Sequence, residues 1–247
     1  MHCIHFAPDR NGGENEGAMS RPTRRALLRL AVAWTAMVVP PPLHARGVDD
    51  VLRRLGPAAR QRLRPRFEAA GVGYPPPSLT LLALKDERRF EVWAGAAAAQ
   101  RLVHTYPIRA ASGVAGPKLR QGDLQVPEGV YRILWLNPNS SYHLSLKVDY
   151  PNAFDRRRAR AERRTDLGGD IFIHGREVSI GCIALGDPAI EEVFVLASDV
   201  GLRRIKVLIA PRDLRLHPGR DADPPPSRWL DRLYSTLRAE MAPLRVR

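Results

Sequence analysis

A histidine and a cysteine eight positions apart, His174 and Cys182, are the residues of this chain best suited to chemistry. Around them the sequence reads Ile171-Phe-Ile-His174-Gly175-Arg-Glu-Val-Ser179-Ile-Gly181-Cys182-Ile-Ala184. A thiolate can attack a carbonyl carbon while an imidazole removes the thiol proton and backbone N–H groups hold the resulting oxyanion. That chemistry is thiol acyl transfer. Gly181 would let the chain approach a substrate beside the nucleophile, and Gly175 would do the same after the base. Spacing alone fits equally well a strand-end histidine beside a buried thiol.

The elements around this stretch must present it. Ile171 to Ile173 reads as a short buried strand that ends on the histidine. Upstream, Leu79 to Leu84 and Arg89 to Trp93 read as a hairpin turning at Lys85-Asp86-Glu87-Arg88. Leu102 to Ile108, Val130 to Leu136 and Ile205 to Ile209 are further strands. Tyr142 to Tyr150 alternates His143, Ser145, Lys147 and Asp149 against Leu144, Leu146 and Val148, which predicts a strand with one wet face. Asp187-Pro188 reads as an N-cap and first helical position, opening a helix to about Asp199 with Ile190, Val193, Phe194 and Ala197 as its core stripe. Val48 to Gly71 is helical in pattern, with Pro57 and Pro65 expected to divide it. Ser227 to Glu240 is an amphipathic tail helix with Trp229, Leu233 and Leu237 on one face.

Composition narrows the function classes. The chain has 247 residues, enough for one ordinary domain plus ends. Its net charge is +13, and no nucleic-acid motif or aromatic stacking platform accompanies the arginines. The basicity therefore suits an enzyme approaching an anionic polymer. The run from Asp155 to Arg164 reads as a solvated loop or short helix, or as an overhang that attracts carboxylates.

Residues 1–45 read as an upstream extension and export signal. Met19 is the expected start; Thr23-Arg24-Arg25 gives a twin-arginine-like basic flank, Leu30 to Val39 is the apolar run, and cleavage is expected after Ala45. An apolar run that short does not span a bilayer, which takes about 20 residues, so no transmembrane span is expected after processing. Residues 46–78 form a helical segment and Pro-rich linker, 79–211 the main domain, and 212–247 a Pro-rich linker and helix. Beyond residue 45 there remain 34 basic and 23 acidic residues, a net of +11. Cys3 lies in the segment to be discarded, leaving Cys182 as the one thiol of the mature chain. A lone thiol sent to an oxidising compartment is a hazard unless it is used.

The segment from His174 to Ala184 resembles the motif of the L,D-transpeptidase (YkuD-type) family, in its YafK-like branch, which reads roughly HG-x-x-x-S-x-G-C-x-A. Ser112-Gly113, Gly116-Pro117-Lys118, Gly122-Asp123, Val126-Pro127-Glu128-Gly129-x-Tyr131, Asn137-Pro138-Asn139-Ser140 and Tyr150-Pro151-Asn152 match that branch in order. The resemblance runs from about Leu79 to Ala210. It implies a mainly β fold, a mixed-sheet sandwich or flattened barrel with peripheral helices, in an exported enzyme of the periplasm or cell envelope. By the same resemblance Cys182 attacks the bond after the L-centre of meso-diaminopimelate in peptidoglycan stem peptides, and His174 serves as base and then acid. Gly181 and Cys182 offer oxyanion N–H groups, and Ser179 orders the loop. Lys118 is expected to contact substrate in the site wall. Tyr142 and His143 are placed at the pocket, with a hydrogen-bonded sheet histidine as the other reading of His143.

The chain departs from the wider family, which has a longer His-to-Cys spacer and reads Ser-His-Gly-Cys; here Ile180 replaces that second histidine. The branch shares this departure. It includes enzymes that look like amidases releasing wall-anchored lipoprotein, so transferase and hydrolase both stand. A degenerate wall-binding module is the non-enzymatic alternative. No cofactor and no metal is expected, since Cys-x-x-Cys and His-x-x-x-His pairs are missing from the sequence. With His174 and nearby arginines such as Arg176 beside it, Cys182 is expected to ionise below about 7.5.

Overall fold

A computed structural model describes residues 45–114, 116–216 and 228–245. Residues 1–44 of the expected export segment, with Cys3, and also His217 and the Pro224-Pro225-Pro226 run, lie outside the described residues. The centre is an eight-stranded mixed sheet in the order β3-β2-β1-β8-β4-β5-β6-β7. Its strands are β1 (Leu79–Leu84), β2 (Arg89–Ala96), β3 (Ala99–Pro107), β4 (Gly129–Ser140), β5 (His143–Val148), β6 (Phe172–His174), β7 (Ile183–Ala184) and β8 (Ile205–Ala210). This is the expected mainly β, mixed-sheet architecture with helices added.

The continuous apolar run of β1 has a direct cause: all six of its residues are buried because both faces are covered. Leu79, Leu81 and Ala83 join a core with Val51, Leu63 and Phe67 of helix α1 (Val48–Ala69) and Val193, Phe194 and Ala197 of helix α3 (Asp187–Val200). Leu82 and Leu84 face the other way, onto Leu233, Leu237 and Met241 of helix α4 (Arg228–Met241). The tail helix thus packs on the domain through Leu233 and Leu237, as its pattern predicts, with Trp229 partly buried beside them.

Two expectations about the helices change. Helix α1 is continuous through Pro57 and Pro65. Both prolines lie on its exposed side, so the carbonyls they leave unpaired can meet water, while Val51, Ala59, Leu63 and Phe67 hold the opposite face in the core. Asp187 is the first helical residue of α3 rather than its cap, and its carboxylate is used elsewhere. The arginine run forms helix α2 (Ala153–Ala161), capped by Asn152, whose Oδ1 accepts from the N–H of Phe154 at 2.8 Å.

The long β4 carries the sheet toward the site. Its first four residues pair with β8 and its later ones with β5. Strand β5 then pairs antiparallel with β6, and β6 runs parallel to β7. One face of β5 points Leu144, Leu146 and Val148 into the core. The other is not wet: Ser145 is 2% exposed and Lys147 9%. The His174–Cys182 segment lies on that second face.

Candidate active site

Register fixes the relation between the two reactive side chains. Ile173 pairs with Ile183 and His174 with Ala184. Cys182 therefore stands one residue before β7, on the same face as His174 and two positions out of register with it. In this state the hydrogen bonds of the two side chains run to the Gly175 and Asp170 carbonyls rather than to each other. His174 is 1% exposed, and Cys182 is half-buried.

The histidine ring is oriented from two sides. Its Nδ1 lies 2.6 Å from the Gly175 carbonyl. A carbonyl only accepts, so Nδ1 carries the proton and Nε2 keeps its lone pair. The Tyr142 ring lies against the imidazole, with centroids 4.6 Å apart. Tyr142 is thus brought to the site. Burial holds His174 below its ordinary value, only partly offset by the Gly175 hydrogen bond, so the resting ring is neutral at pH 7.

The thiol is also neutral at rest. Burial pushes Cys182 up, and this outweighs the Phe172 N–H and the positive charges of Lys147 and Lys118. Its Sγ lies 3.6 Å from the Asp170 carbonyl, a contact that suits the protonated thiol. The expectation of a depressed thiol is therefore corrected: the cations that bear on Sγ are lysines, and desolvation exceeds them.

Serines tie the cysteine loop. Ser179 Oγ accepts from the Cys182 N–H at 3.0 Å and donates to the Cys182 carbonyl at 2.6 Å. Ser112 Oγ accepts from the Gly181 N–H at 2.6 Å and donates to the Leu124 carbonyl at 2.8 Å. The two N–H groups expected to face an oxyanion are thus held by serine hydroxyls in this state. Ser112 reaches the loop because Ala110 bridges to Ala184 beside β7. Gly181 sits at φ +97°, where a side chain is strained, and a Cβ there would approach the Gln125 carbonyl to 3.3 Å.

Gly175 serves packing rather than substrate approach. A Cβ at Gly175 would meet Asp187 Oδ1 at 2.6 Å and the Tyr142 carbonyl at 2.7 Å. That Asp187 oxygen accepts from the Arg176 N–H at 2.7 Å, fixing the chain just after the histidine.

Two expected substrate contacts are otherwise engaged. Lys118 is 8% exposed, and its ammonium donates to Asp123 Oδ1 at 2.6 Å and to the Arg120 carbonyl at 2.8 Å. Asp123 also accepts from the N–H groups of Leu119, Arg120 and Gln125. Burial alone would raise Asp123, but Lys118 and these donors hold it below the usual carboxylate range. Lys118 thus pins the 118–125 turn from within. His143 Nε2 lies 2.9 Å from Glu191 Oε1 on α3, so this is the hydrogen-bonded sheet histidine.

Sequence reasoning missed Ser112 and Lys147 as neighbours of Cys182. Ser112 was visible only as part of a matched dipeptide, and Lys147 only as one member of an alternating strand. Among the described residues, no group of three or more His, Cys, Asp and Glu side chains is placed to hold a metal.

The model of the L,D-transpeptidase catalytic domain (YkuD) matches residues 81–208, just over half of the chain. The chain belongs to the L,D-transpeptidase catalytic domain family. YafK of Escherichia coli (strain K12), an L,D-transpeptidase by name, is 37% identical over 112 residues, which are 44% of this chain and 43% of that protein. The chain thus spans less than half the length of that relative and falls in the YafK-like branch of the L,D-transpeptidase family. Solved structures similar over part of the chain include two bacterial proteins. One is the helical cell shape determining protein Pgp2 from Campylobacter jejuni, at 24% identity and TM-score 0.46, covering 55% of this chain and 48% of that one. The other is L,D-transpeptidase 1 of Mycobacterium tuberculosis, at 16% identity and TM-score 0.31, covering 53% and 61%. No helix of the described residues is long and apolar enough to cross a membrane.

Proposed function

We propose that this L,D-transpeptidase-family protein is an exported cysteine acyltransferase that modifies peptidoglycan in the cell envelope. The observation that carries the reading is the placement of Cys182, one residue before β7, on the sheet face that carries His174 of β6, with Nε2 left free by the Nδ1 bond to Gly175. Family membership and the likeness to YafK support peptidoglycan as the substrate class, and we place the cut after the L-centre of meso-diaminopimelate in its stem peptides.

In this mechanism both partners begin neutral, so proton transfer accompanies attack. His174 Nε2 takes the thiol proton as Sγ bonds the carbonyl carbon. The C–N bond then breaks, and Nε2 returns that proton to the leaving amine. The acyl group now rests on Cys182 as a thioester. An acceptor amine attacks it, with His174 again taking and returning a proton, and gives a cross-link or an attached group. Water in the same step gives hydrolysis, the amidase alternative, which would extend to wall-anchored lipoprotein. The oxyanion takes over the Gly181 N–H when Ser112 Oγ yields it, a short-range exchange because a hydroxyl rotor is the group displaced.

The test is mass spectrometry of muropeptides incubated with the purified protein, with and without a D-amino acid acceptor. Incorporation of the acceptor marks the transferase, and loss of a residue to water alone marks the hydrolase. Turnover that persists in Cys182→Ala would rule out the thioester, and wall binding without turnover would leave a binding module.

A further inference from the structure

Across β5, β6 and the start of β7, one face of the sheet carries two rows of side chains. Ser145, His174 and Ala184 form one row. Lys147 and Phe172 form the other, and Cys182 continues it, one step beyond the Ile173–Ile183 pair. Neighbouring strands lie about 4.8 Å apart, so the Cα atoms of Lys147 and Cys182 are separated by on the order of 10 Å. A lysine stem covers much of that distance. The acyl-transfer steps give Lys147 no task.

The surroundings of Lys147 differ from those of Lys85 and Lys118. Its ammonium lies 4.8 Å from the centre of the Phe172 ring and donates to Asp170 Oδ1 at 3.0 Å. The Lys147 side chain is 11% exposed, whereas that of Asp170 is 93% exposed. Lys85 has the opposite arrangement, with a counter-ion, Glu128, whose side chain is wholly buried. Lys118 resembles Lys85, since Asp123 is 12% exposed. Those two pairs are closed inside the protein. A buried cation needs a partner, while a water-facing carboxylate loses little by leaving one. Lys147 therefore keeps a desolvated positive charge beside the thiol, neutralised by an exchangeable anion.

Asp170 also covers the nucleophile. Its carbonyl is the acceptor 3.6 Å from Cys182 Sγ, and it holds φ at +55°, which non-glycine residues seldom adopt. One residue thus occupies the lysine with its side chain and the thiol with its main chain. Trp135 packs edge-on to Phe172, with centroids 5.8 Å apart, and is itself 46% exposed, giving the cation an open aromatic wall.

We propose that Lys147 anchors a carboxylate of the acyl donor, and that Asp170 is the place-holder this carboxylate displaces. The proposal rests on Cys182 being the nucleophile. It adds to that reading the residue that would select for a free carboxylate on the residue that leaves. The exchange conserves charge, one carboxylate replacing another on one ammonium, so no unpaired ion is left in the site. Withdrawal of Asp170 also draws its carbonyl off Sγ, which frees the thiol when the donor is seated.

The experiment uses the full chain and two tetrapeptides of one sequence ending in meso-diaminopimelate–D-alanine, one with a C-terminal carboxylate and one with a C-terminal amide. Protection of Cys182 from iodoacetamide reads binding without turnover; product formation is measured separately. The carboxylate peptide is expected to protect wild type at about tenfold lower concentration than the amide, the effect of a charge-assisted hydrogen bond. Lys147→Met should abolish that preference, Lys147→Arg should retain most of it, and Asp170→Asn should strengthen protection by the carboxylate peptide. Equal protection by both peptides in wild type overturns the anchor even where Lys147→Met does not fold. A preference that survives in Lys147→Met overturns it as well. Carboxylate-selective protection without turnover of either peptide would uphold the anchor and remove the acyl-transfer reading. Turnover of both peptides without selectivity would do the reverse.

Discussion

The hydroxyl of Ser179 and the main chain of Cys182 hold each other twice, through the Cys182 N–H at 3.0 Å and the Cys182 carbonyl at 2.6 Å. A hydroxyl has one proton and two lone pairs, so both bonds coexist. They fix the peptide units on either side of the Cα that carries Sγ. Ser179→Ala removes both at once. Its kcat for acyl transfer is expected to fall about tenfold to a hundredfold, because a small misplacement of a nucleophile is costly. The melting temperature should move little, since Ser179 belongs to a half-buried loop outside the core. Turnover assays and thermal melts on the same preparation check both parts; an unchanged kcat would show that the loop is ordered without this serine.

The ionisation of the pair gives a pH prediction with a definite sign. Burial lifts the Cys182 thiol above the ordinary cysteine range and lowers His174 below 6.5. Between those two values the pair is neutral thiol and neutral imidazole. Alkylation by iodoacetamide needs thiolate, so its rate should climb with a midpoint above that of a free cysteine. Acyl transfer needs only the free Nε2, so its acid limb should fall below pH 6.5, the ordinary histidine value. The two profiles should therefore separate. Coincident profiles with a midpoint near neutrality would mean a thiolate–imidazolium pair instead.

Much of this site was legible because it is local. His174, Gly175, Ser179, Gly181 and Cys182 lie within nine residues, and one strand, one loop and one further strand suffice to position them. The flanking strands were legible for the same reason, since their alternation reports the faces they bury. What escaped depends on register and long-range pairing. Ser112 meets Gly181 across 69 positions, through a bridge between Ala110 and Ala184 that no periodicity announces. Lys147 read as a solvent-facing residue until the β5–β6 register placed it over Phe172. The matched motif places Lys118 in the site wall but does not announce its bond to Asp123, which depends on how the 118–125 turn closes. Pro57 and Pro65 were taken as breaks because the buried face that holds α1 straight is supplied by α3, far along the chain.

Gly175 offers a test of packing behind the histidine. An added methyl would meet Asp187 Oδ1 at 2.6 Å and, less yielding, the Tyr142 carbonyl at 2.7 Å. The same main chain accepts the His174 Nδ1 proton. Gly175→Ala is expected to destabilise the fold by about 1–3 kcal/mol, the range for overpacking a tight site. It should also reduce kcat by displacing the carbonyl that orients the ring. Denaturant titration and turnover at a temperature where the variant is folded separate the two effects. A variant with wild-type stability would mean that the loop opens freely and that the glycine is kept for another reason.

Glu192 ties α1 to α3 and is one of the carboxylates that make the fold sensitive to acid. Its side chain is 3% exposed and accepts from Arg62, Arg66 and the Tyr106 hydroxyl. Burial alone would raise its carboxyl, but these hydrogen bonds outweigh burial and hold it below 4.5. A depressed folded-state value means that the ionised glutamate stabilises the fold above the unfolded value. That contribution is lost as pH falls through the folded value. Glu192→Gln keeps the shape and removes the charge, leaving two arginines without their shared counter-ion. The expected loss near neutral pH is about 2 kcal/mol, below the 3–5 kcal/mol of a fully buried pair because both arginines are part-exposed. The variant should also show a shallower fall in stability below pH 4.5, where wild type is giving up this interaction. Urea titrations at a series of pH values measure both effects. Glu192 lies on the core side of the sheet, away from the face of Cys182, so the pH profile of iodoacetamide labelling should not move. A variant whose stability deficit is the same at pH 3 as at pH 7 would show that the glutamate acts through shape alone.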